Sequence, residues 1–185
     1  MNSTVVVYKS KYGSTRKYAE WIASELKAEL YEAKEVSAAE LEKYSTVIFG
    51  GGLYINKLNG IGFIQKNRRV LSNKKMVVFT CGLSGPENER SIERIKNALF
   101  KKIPDDIKEN VKLFHLRGGI TYSKLNFFDG LFMKMLAKIA NASNAGELPA
   151  EQQEIVRLLG KDFDFIDREK INPLVGYIRN STIPA

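Results

Sequence analysis

The stretch Ser10-Lys11-Tyr12-Gly13-Ser14-Thr15 joins an apolar run, Thr4 to Tyr8, to a segment of helical spacing that starts at Ser14. Amides at a helix N-terminus lack intrahelical acceptors and the helix dipole adds partial positive charge, so a phosphate binds well there. Ser10, Ser14 and Thr15 add hydroxyl donors, and Gly13 permits positive φ or close backbone approach. The same six residues also read as a plain helix start, with Ser14 as N-cap and Gly13 in the turn. A nucleoside-triphosphate loop is excluded because Gly-x-x-x-x-Gly-Lys-Ser/Thr is missing, and Gly-x-Gly-x-x-Gly is missing too.

The elements that must hold this turn follow from hydrophobic patterning. Thr4 to Tyr8, Thr46 to Gly50, Met76 to Cys81 and Val111 to Leu116 are short runs rich in β-branched and aromatic residues, expected as buried parallel strands. A weaker strand is expected at Glu29 to Val36. Helical spacing covers Ser14 to Leu30, Ala38 to Lys43, Ile61 to Leu71 and Asn88 to Lys101, and beyond the last strand Leu125 to Ala140 and Ala150 to Arg168. Alternation of this kind implies right-handed β-α-β crossovers and a doubly wound parallel sheet with helices on both faces. Ligands in such folds gather beyond the carboxyl ends of the strands, which selects residues 9–15, 50–60, 81–90 and 117–124. One domain is expected over residues 1–171, followed by an irregular extension over 172–185, where two prolines and Asn180-Ser181-Thr182 punctuate the chain.

Composition narrows the chemistry. Lys and Arg number 29 against 21 Asp and Glu, a net charge of +8, which favours an anionic partner: nucleic acid, a phosphate-bearing cofactor, a carboxylate substrate or an anionic membrane surface. No nucleic-acid module is recognisable, so nucleic acid is not expected. One cysteine, Cys81, excludes an intrachain disulfide, and one histidine, His115, argues against a histidine-rich metal centre; no metal is expected. Neither a secretory leader nor an apolar run long enough to span a bilayer is present, so the expected location is cytoplasmic.

The pattern Ser10-x-x-Gly13-x-Thr15 between a first strand and an amphipathic helix resembles the FMN-phosphate loop of flavodoxin-like proteins. The resemblance implies strand order 2-1-3-4-5 and FMN as cofactor, with Ser10, Lys11, Tyr12, Gly13, Ser14 and Thr15 around its phosphate. It also implies that Gly50-Gly51-Gly52-Leu53-Tyr54-Ile55 packs on the isoalloxazine ring. Gly51 and Gly52 would allow close backbone approach there, and Leu53 or Tyr54 would cover a ring face. Cys81-Gly82-Leu83-Ser84-Gly85-Pro86 matches the second flavin loop, whose amides would meet the polar edge of the ring; Cys81 itself reads as a small buried strand-end residue.

Within this group, Arg117-Gly118-Gly119-Ile120-Thr121-Tyr122 and the following Asp129, Phe132, Met133 and Lys134 resemble the segment after the fifth strand in flavodoxin-type protoporphyrinogen oxidases. That likeness implies an inserted helix after the fifth strand, protoporphyrinogen IX as small-molecule substrate, and a quinone or redox protein as electron acceptor. The flavin N5 would take the hydride, so no side chain is assigned a catalytic role. Tyr122 and Tyr54 would line the substrate face, and Lys57 and Arg117 would meet its carboxylates. Phe128, Leu131, Phe132, Met135, Leu136 and Ile139 share one helical stripe, which reads either as core packing or as an apolar surface for a tetrapyrrole, a quinone or the inner face of the cell membrane. Two departures stand out: Thr121 replaces the family's basic residue before the tyrosine, and the loop after the third strand lacks an Arg-Tyr-Gly-His sequence. An electron-carrying flavodoxin without its own organic substrate is the alternative, although such carriers are typically acidic.

Overall fold

The structure, a computed structural model, describes residues 3–54, 57–121 and 160–180, together with Gly130, Gln153, Arg157 and Leu158. Apart from Gly130, the expected insert, Leu125 to Ala140, lies outside the described residues, as do Tyr122 and the rest of the 122–129 segment.

Five strands form the parallel sheet: β1 (Thr4–Lys9), β2 (Glu29–Glu32), β3 (Thr46–Tyr54), β5 (Lys75–Gly82) and β6 (Val111–Arg117), in the order β2-β1-β3-β5-β6. The remaining strand, β4 (Lys57–Leu58), folds back antiparallel on the end of β3, pairing Leu53 with Leu58 and Tyr54 with Lys57. Setting that hairpin aside, the order is the expected 2-1-3-4-5. Register explains why the strand sequences show no polar alternation. Val5, Val47 and Met76 lie side by side and face one helix layer, while Val6, Ile48 and Val77 lie side by side and face the other. Both faces are therefore apolar, and each fully buried Val or Ile contributes about 1.5–3 kcal/mol of transfer free energy.

One layer holds Leu41 of α2 (Ala38–Leu41), Phe63 and Ile64 of α3 (Ile61–Lys66), Leu71 of α4 (Arg68–Leu71), Leu99 of α5 (Glu89–Phe100) and Ile107 of α6 (Asp105–Lys108). The single helix expected over Ile61 to Leu71 is broken at Asn67, whose buried side chain donates to the Phe63 carbonyl at 2.9 Å. The opposite layer holds α1 (Ser14–Leu26), with Tyr18, Ala19, Ile22 and Ala23 buried, and the C-terminal segment. α1 stops short of Leu30 because Lys27 turns left-handed, φ 51°, and its amide bonds back to the helix; Ala28 then leads into β2.

Two expectations for the C-terminal region are corrected. The helix expected over Ala150 to Arg168 does not extend through its last turns: Gly160 takes φ 87°, and Phe163 forms an antiparallel bridge with Ile120 through two backbone bonds of 2.8 and 2.9 Å. The segment expected to be irregular contains α7 (Asn172–Asn180), preceded by a 3-10 turn at Arg168–Ile171. Pro173 sits in the first turn of α7, where a missing N–H costs nothing. Ile171, Leu174, Val175 and Ile178 are buried against α1 and the sheet. Glu25 of α1 holds this segment from outside, accepting from Arg168 at 3.0 Å and from Arg179 at 3.3 Å. Residue 171 is therefore no domain boundary. Among the described residues no helix is long and apolar enough to cross a membrane.

Candidate functional site

Beyond the carboxyl ends of β1, β3, β5 and β6, four chain segments meet. In the first, the Ser10 hydroxyl accepts from the Gly13 amide at 3.1 Å, closing the turn. Gly13, not Ser14, occupies the N-cap position, with φ 102° and no side-chain cap. Only glycine adopts such a φ without strain. The first intrahelical bond runs from the Lys17 amide to the Gly13 carbonyl at 3.0 Å, so the amides of Ser14, Thr15 and Arg16 have no intrahelical acceptor.

The three hydroxyls are not equivalent. Ser14 Oγ accepts from the Gly119 amide at 3.3 Å, which ties the post-β6 turn to the start of α1. As with Ser10, that bond uses the oxygen and leaves the hydroxyl proton for donation. Thr15 is only 3% exposed and its hydroxyl meets the Cys81 thiol, so it faces inward. Two hydroxyls and three helix-start amides thus form a donor set that fits a phosphate, with Lys11 exposed beside them. Lys11 Nζ lies 5.3 Å from the Tyr12 ring centre and 5.4 Å from that of Tyr54, and the two rings meet edge-on at 6.1 Å.

The second segment differs from its expected bounds. β3 does not end at Gly50 but runs through all three glycines to Tyr54, and Gly50, Gly51 and Gly52 are buried. A Cβ at Gly50 would sit 2.1 Å from the Phe79 ring, one at Gly51 2.5 Å from the Asn59 carbonyl oxygen, and one at Gly52 3.0 Å from the Tyr54 ring. These glycines make room for protein atoms: the Phe79 ring, the β4 hairpin and the Tyr54 side chain. Tyr54, Lys57, Leu58 and Asn59 line a cavity of about 350 Å³.

In the third segment, burial pushes the Cys81 thiol up to about 12 from its usual value near 9.0, and Thr15 only partly offsets this. Cys81 is a packed strand residue, as its sequence context suggests, and a Cβ on Gly118 would lie 2.8 Å from its sulfur. Tyr18, beneath it, is likewise raised by burial, to about 12. Its hydroxyl donates to the Arg117 carbonyl at 2.8 Å and accepts from the Asp167 amide at 3.1 Å, joining α1, β6 and the C-terminal segment. Both groups keep their protons in the folded protein at pH values where the unfolded chain has lost them. Stability is therefore full below about pH 9 and falls between pH 9 and 12, by up to about 1.4 kcal/mol per pH unit for each group. Urea unfolding from pH 8 to 11 is expected to show this decline, with Cys81→Ala flattening its lower part, where only the thiol titrates. Equal slopes for the two proteins would refute the assignment.

In the fourth segment Arg117, expected as a ligand for substrate carboxylates, makes contacts within the protein. Its Nε donates to the Leu83 carbonyl at 2.9 Å and its guanidinium lies 3.5 Å from the centre of the Phe165 ring. Gly118 donates to the Gly82 carbonyl at 2.7 Å, and a Cβ on Gly119 would lie 2.6 Å from the Phe163 carbonyl oxygen. The paired glycines thus let residues 163–164 pack closely. His115, buried one turn of the pleat before Arg117, contacts Thr80 Oγ1 through Nδ1 at 2.6 Å and the Ser84 carbonyl through Nε2 at 2.9 Å. Sequence reading left His115 and Tyr18 without a role. For His115 the available signal was periodicity: it stands two residues before Arg117 at the end of a strand, so the two share a face.

A five-stranded 2-1-3-4-5 sheet, with a hydroxyl-bearing turn at the first helix and three further segments around it, defines the flavodoxin-like class of α/β proteins. The chain belongs to the family described as flavodoxin domain, whose family model matches residues 5–145. It is 29% identical over 132 residues to an uncharacterized protein of Methanocaldococcus jannaschii, a match covering 69% of this chain and 83% of that relative. Among solved structures it is similar to a flavodoxin from the domain Archaea, with 14% identity, a TM-score of 0.45 and coverage of 66% of this chain and 87% of that one. It is also similar to oxidised flavodoxin 1 of Bacillus cereus, with 17% identity, a TM-score of 0.41 and coverage of 62% and 84%.

Proposed function

We propose that the protein binds FMN beyond the carboxyl ends of its parallel strands and acts in electron transfer as a flavodoxin-type carrier. The observation that carries this reading is the donor set at the start of α1: the hydroxyls of Ser10 and Ser14 and three amides without intrahelical acceptors. When bound, FMN would supply reversible one- and two-electron chemistry. The protein's part is to hold its phosphate at residues 10–15, with Thr15 contributing its amide and Lys11 its charge. Leu53 and Tyr54 would flank the ring system and Gly82 and Leu83 its polar edge, while Gly51 and Gly52 shape the hairpin from within. Family membership supports a flavoprotein.

A second reading is oxidation of an anionic organic substrate such as protoporphyrinogen IX, with electrons passed to a quinone near the membrane surface. It is favoured by the +8 charge and by Lys57 in the wall of the cavity beside Tyr54. Arg117 supports it less directly, since its Nε donates to the Leu83 carbonyl and its guanidinium lies against Phe165. Titration of the purified protein with FMN, followed by visible absorbance and fluorescence quenching, tests the shared part: saturable one-to-one binding is expected, and its absence would refute both readings. With FMN bound, anaerobic assay with protoporphyrinogen and a quinone separates them, since a carrier shows no turnover.

A further inference from the structure

Two polar side chains at the end of β6, His115 and Arg117, reach across to successive carbonyls of the loop after β5. Arg117 Nε donates to the Leu83 carbonyl at 2.9 Å, and His115 Nε2 donates to the Ser84 carbonyl at 2.9 Å. A carbonyl can only accept, so Nε2 carries the proton; Nδ1 then accepts from the Thr80 hydroxyl at 2.6 Å in the neutral ring. Neither side chain is left to swing. The imidazole is buried, with Cε1 only 3.1 Å from where a Cβ on Gly82 would stand, and the guanidinium carbon lies 3.5 Å from the centre of the Phe165 ring. Cross-strand pairing adds to the rigidity, since Thr80 is the register partner of His115 and Gly82 that of Arg117.

We infer that His115 and Arg117 are positioning residues that set the orientation of the loop after β5 toward the polar edge of the flavin, an inference that rests on the FMN reading above. In a trans peptide the N–H points opposite to the preceding C=O. With the Leu83 and Ser84 carbonyls drawn toward β6, the next two amides, of Ser84 and Gly85, are aimed away from it. Two anchors on adjacent carbonyls fix both peptide planes, whereas one would leave the other free to flip. Because the held groups are peptides and not the ligand, neither side chain needs to touch the cofactor. The loop arrives oriented, so little ordering cost remains for binding. Gly82 leaves room for this arrangement, since a Cβ there would stand 3.1 Å from the imidazole that holds the loop.

The test uses the full chain carrying His115→Leu, His115→Gln or Arg117→Met, with thermal unfolding as a folding control. His115→Leu and Arg117→Met are each expected to weaken FMN binding about tenfold, the effect of one lost interaction of about 1.4 kcal/mol. Each should also shift the midpoint potential of bound FMN and speed amide exchange at Ser84 in the protein without FMN. His115→Gln keeps a donor near the Nε2 position and is expected to return affinity and potential most of the way to wild type. If FMN binds the wild type but affinity, potential and Ser84 exchange are unchanged in His115→Leu and Arg117→Met, the positioning role is refuted while FMN binding stands. A fall in affinity that only tracks lost stability and is not rescued by His115→Gln refutes it equally. Failure of the wild type to bind FMN overturns both.

Discussion

Ser10→Asp is expected to weaken FMN binding at least a hundredfold while leaving riboflavin binding nearly unchanged. The Ser10 side chain accepts from the Gly13 amide at 3.1 Å, and an aspartate accepts that bond as well, so the turn survives the change. What changes is charge. A carboxylate about 6 Å from a phosphate, at an effective dielectric of about 20, costs about 3 kcal/mol for each pair of unit charges, a factor of about a hundred in affinity. Riboflavin lacks the phosphate and meets no such penalty. The same carboxylate stands ahead of the α1 N-terminus, where it is expected to stabilise the protein without FMN by about 0.3–1 kcal/mol. The substitution thus controls for folding damage. Isothermal titration with both flavins checks it, and parallel losses for FMN and riboflavin would place the phosphate somewhere else.

Gly50→Ala is expected to destabilise the fold by about 2–3 kcal/mol although it adds one methyl group. The added carbon would stand 2.1 Å from the Phe79 ring. Gly50 is pinned between β1 and β5 through its pairing with Tyr8 and Phe79, so the backbone has no direction in which to yield. The ring is also confined, being fully buried against α1 and the C-terminal helix layer. Phe79→Ala alone leaves a cavity and is expected to cost about 3–5 kcal/mol. In the double variant the new methyl group occupies part of that cavity. The two effects should therefore fall short of additivity by about 1 kcal/mol or more in urea unfolding; strict additivity would mean that Phe79 does not fill the space at Gly50.

The two substitutions also show where sequence and structure part company. Ser10 and Gly13 are legible because their roles are local: a turn closed over three residues and a positive φ ahead of a helix start depend on neighbours in the chain. Gly50 and Gly51 are not. Flanking context marks them as a close approach of backbone to something, and the resemblance suggested a ligand. Only the register of β3 against β5, and the return of β4, shows that the approaching atoms are Phe79, Leu58 and Asn59. Arg117 shows the same limit, because a cation at a strand's end carries no local sign of Phe165, nearly fifty residues later, folded against it. The tail fails for a further reason. Pro173 and Asn180 read as punctuation, yet the burial of Leu174, Val175 and Ile178 on α1 outweighs weak local propensity.

From the sequence alone come the number of the principal strands and their places along the chain, the doubly wound parallel sheet, and the turn at residues 10–15 with its two open readings, cap or anion site. Each rests on periodicity or on chemistry within a few residues, which the chain carries wherever it folds. Tertiary structure decided which side chains face the site and which hold it together. Thr15 turned inward to Cys81, and Ser14 became the acceptor for Gly119. Tyr18 became a junction between Arg117 and Asp167, and His115 and Arg117 came to donate to successive carbonyls of the loop after β5. These pairings join residues between 31 and 149 positions apart. They depend on strand register and helix placement, which follow from burying both faces of one sheet at once, and no local window of sequence contains that constraint.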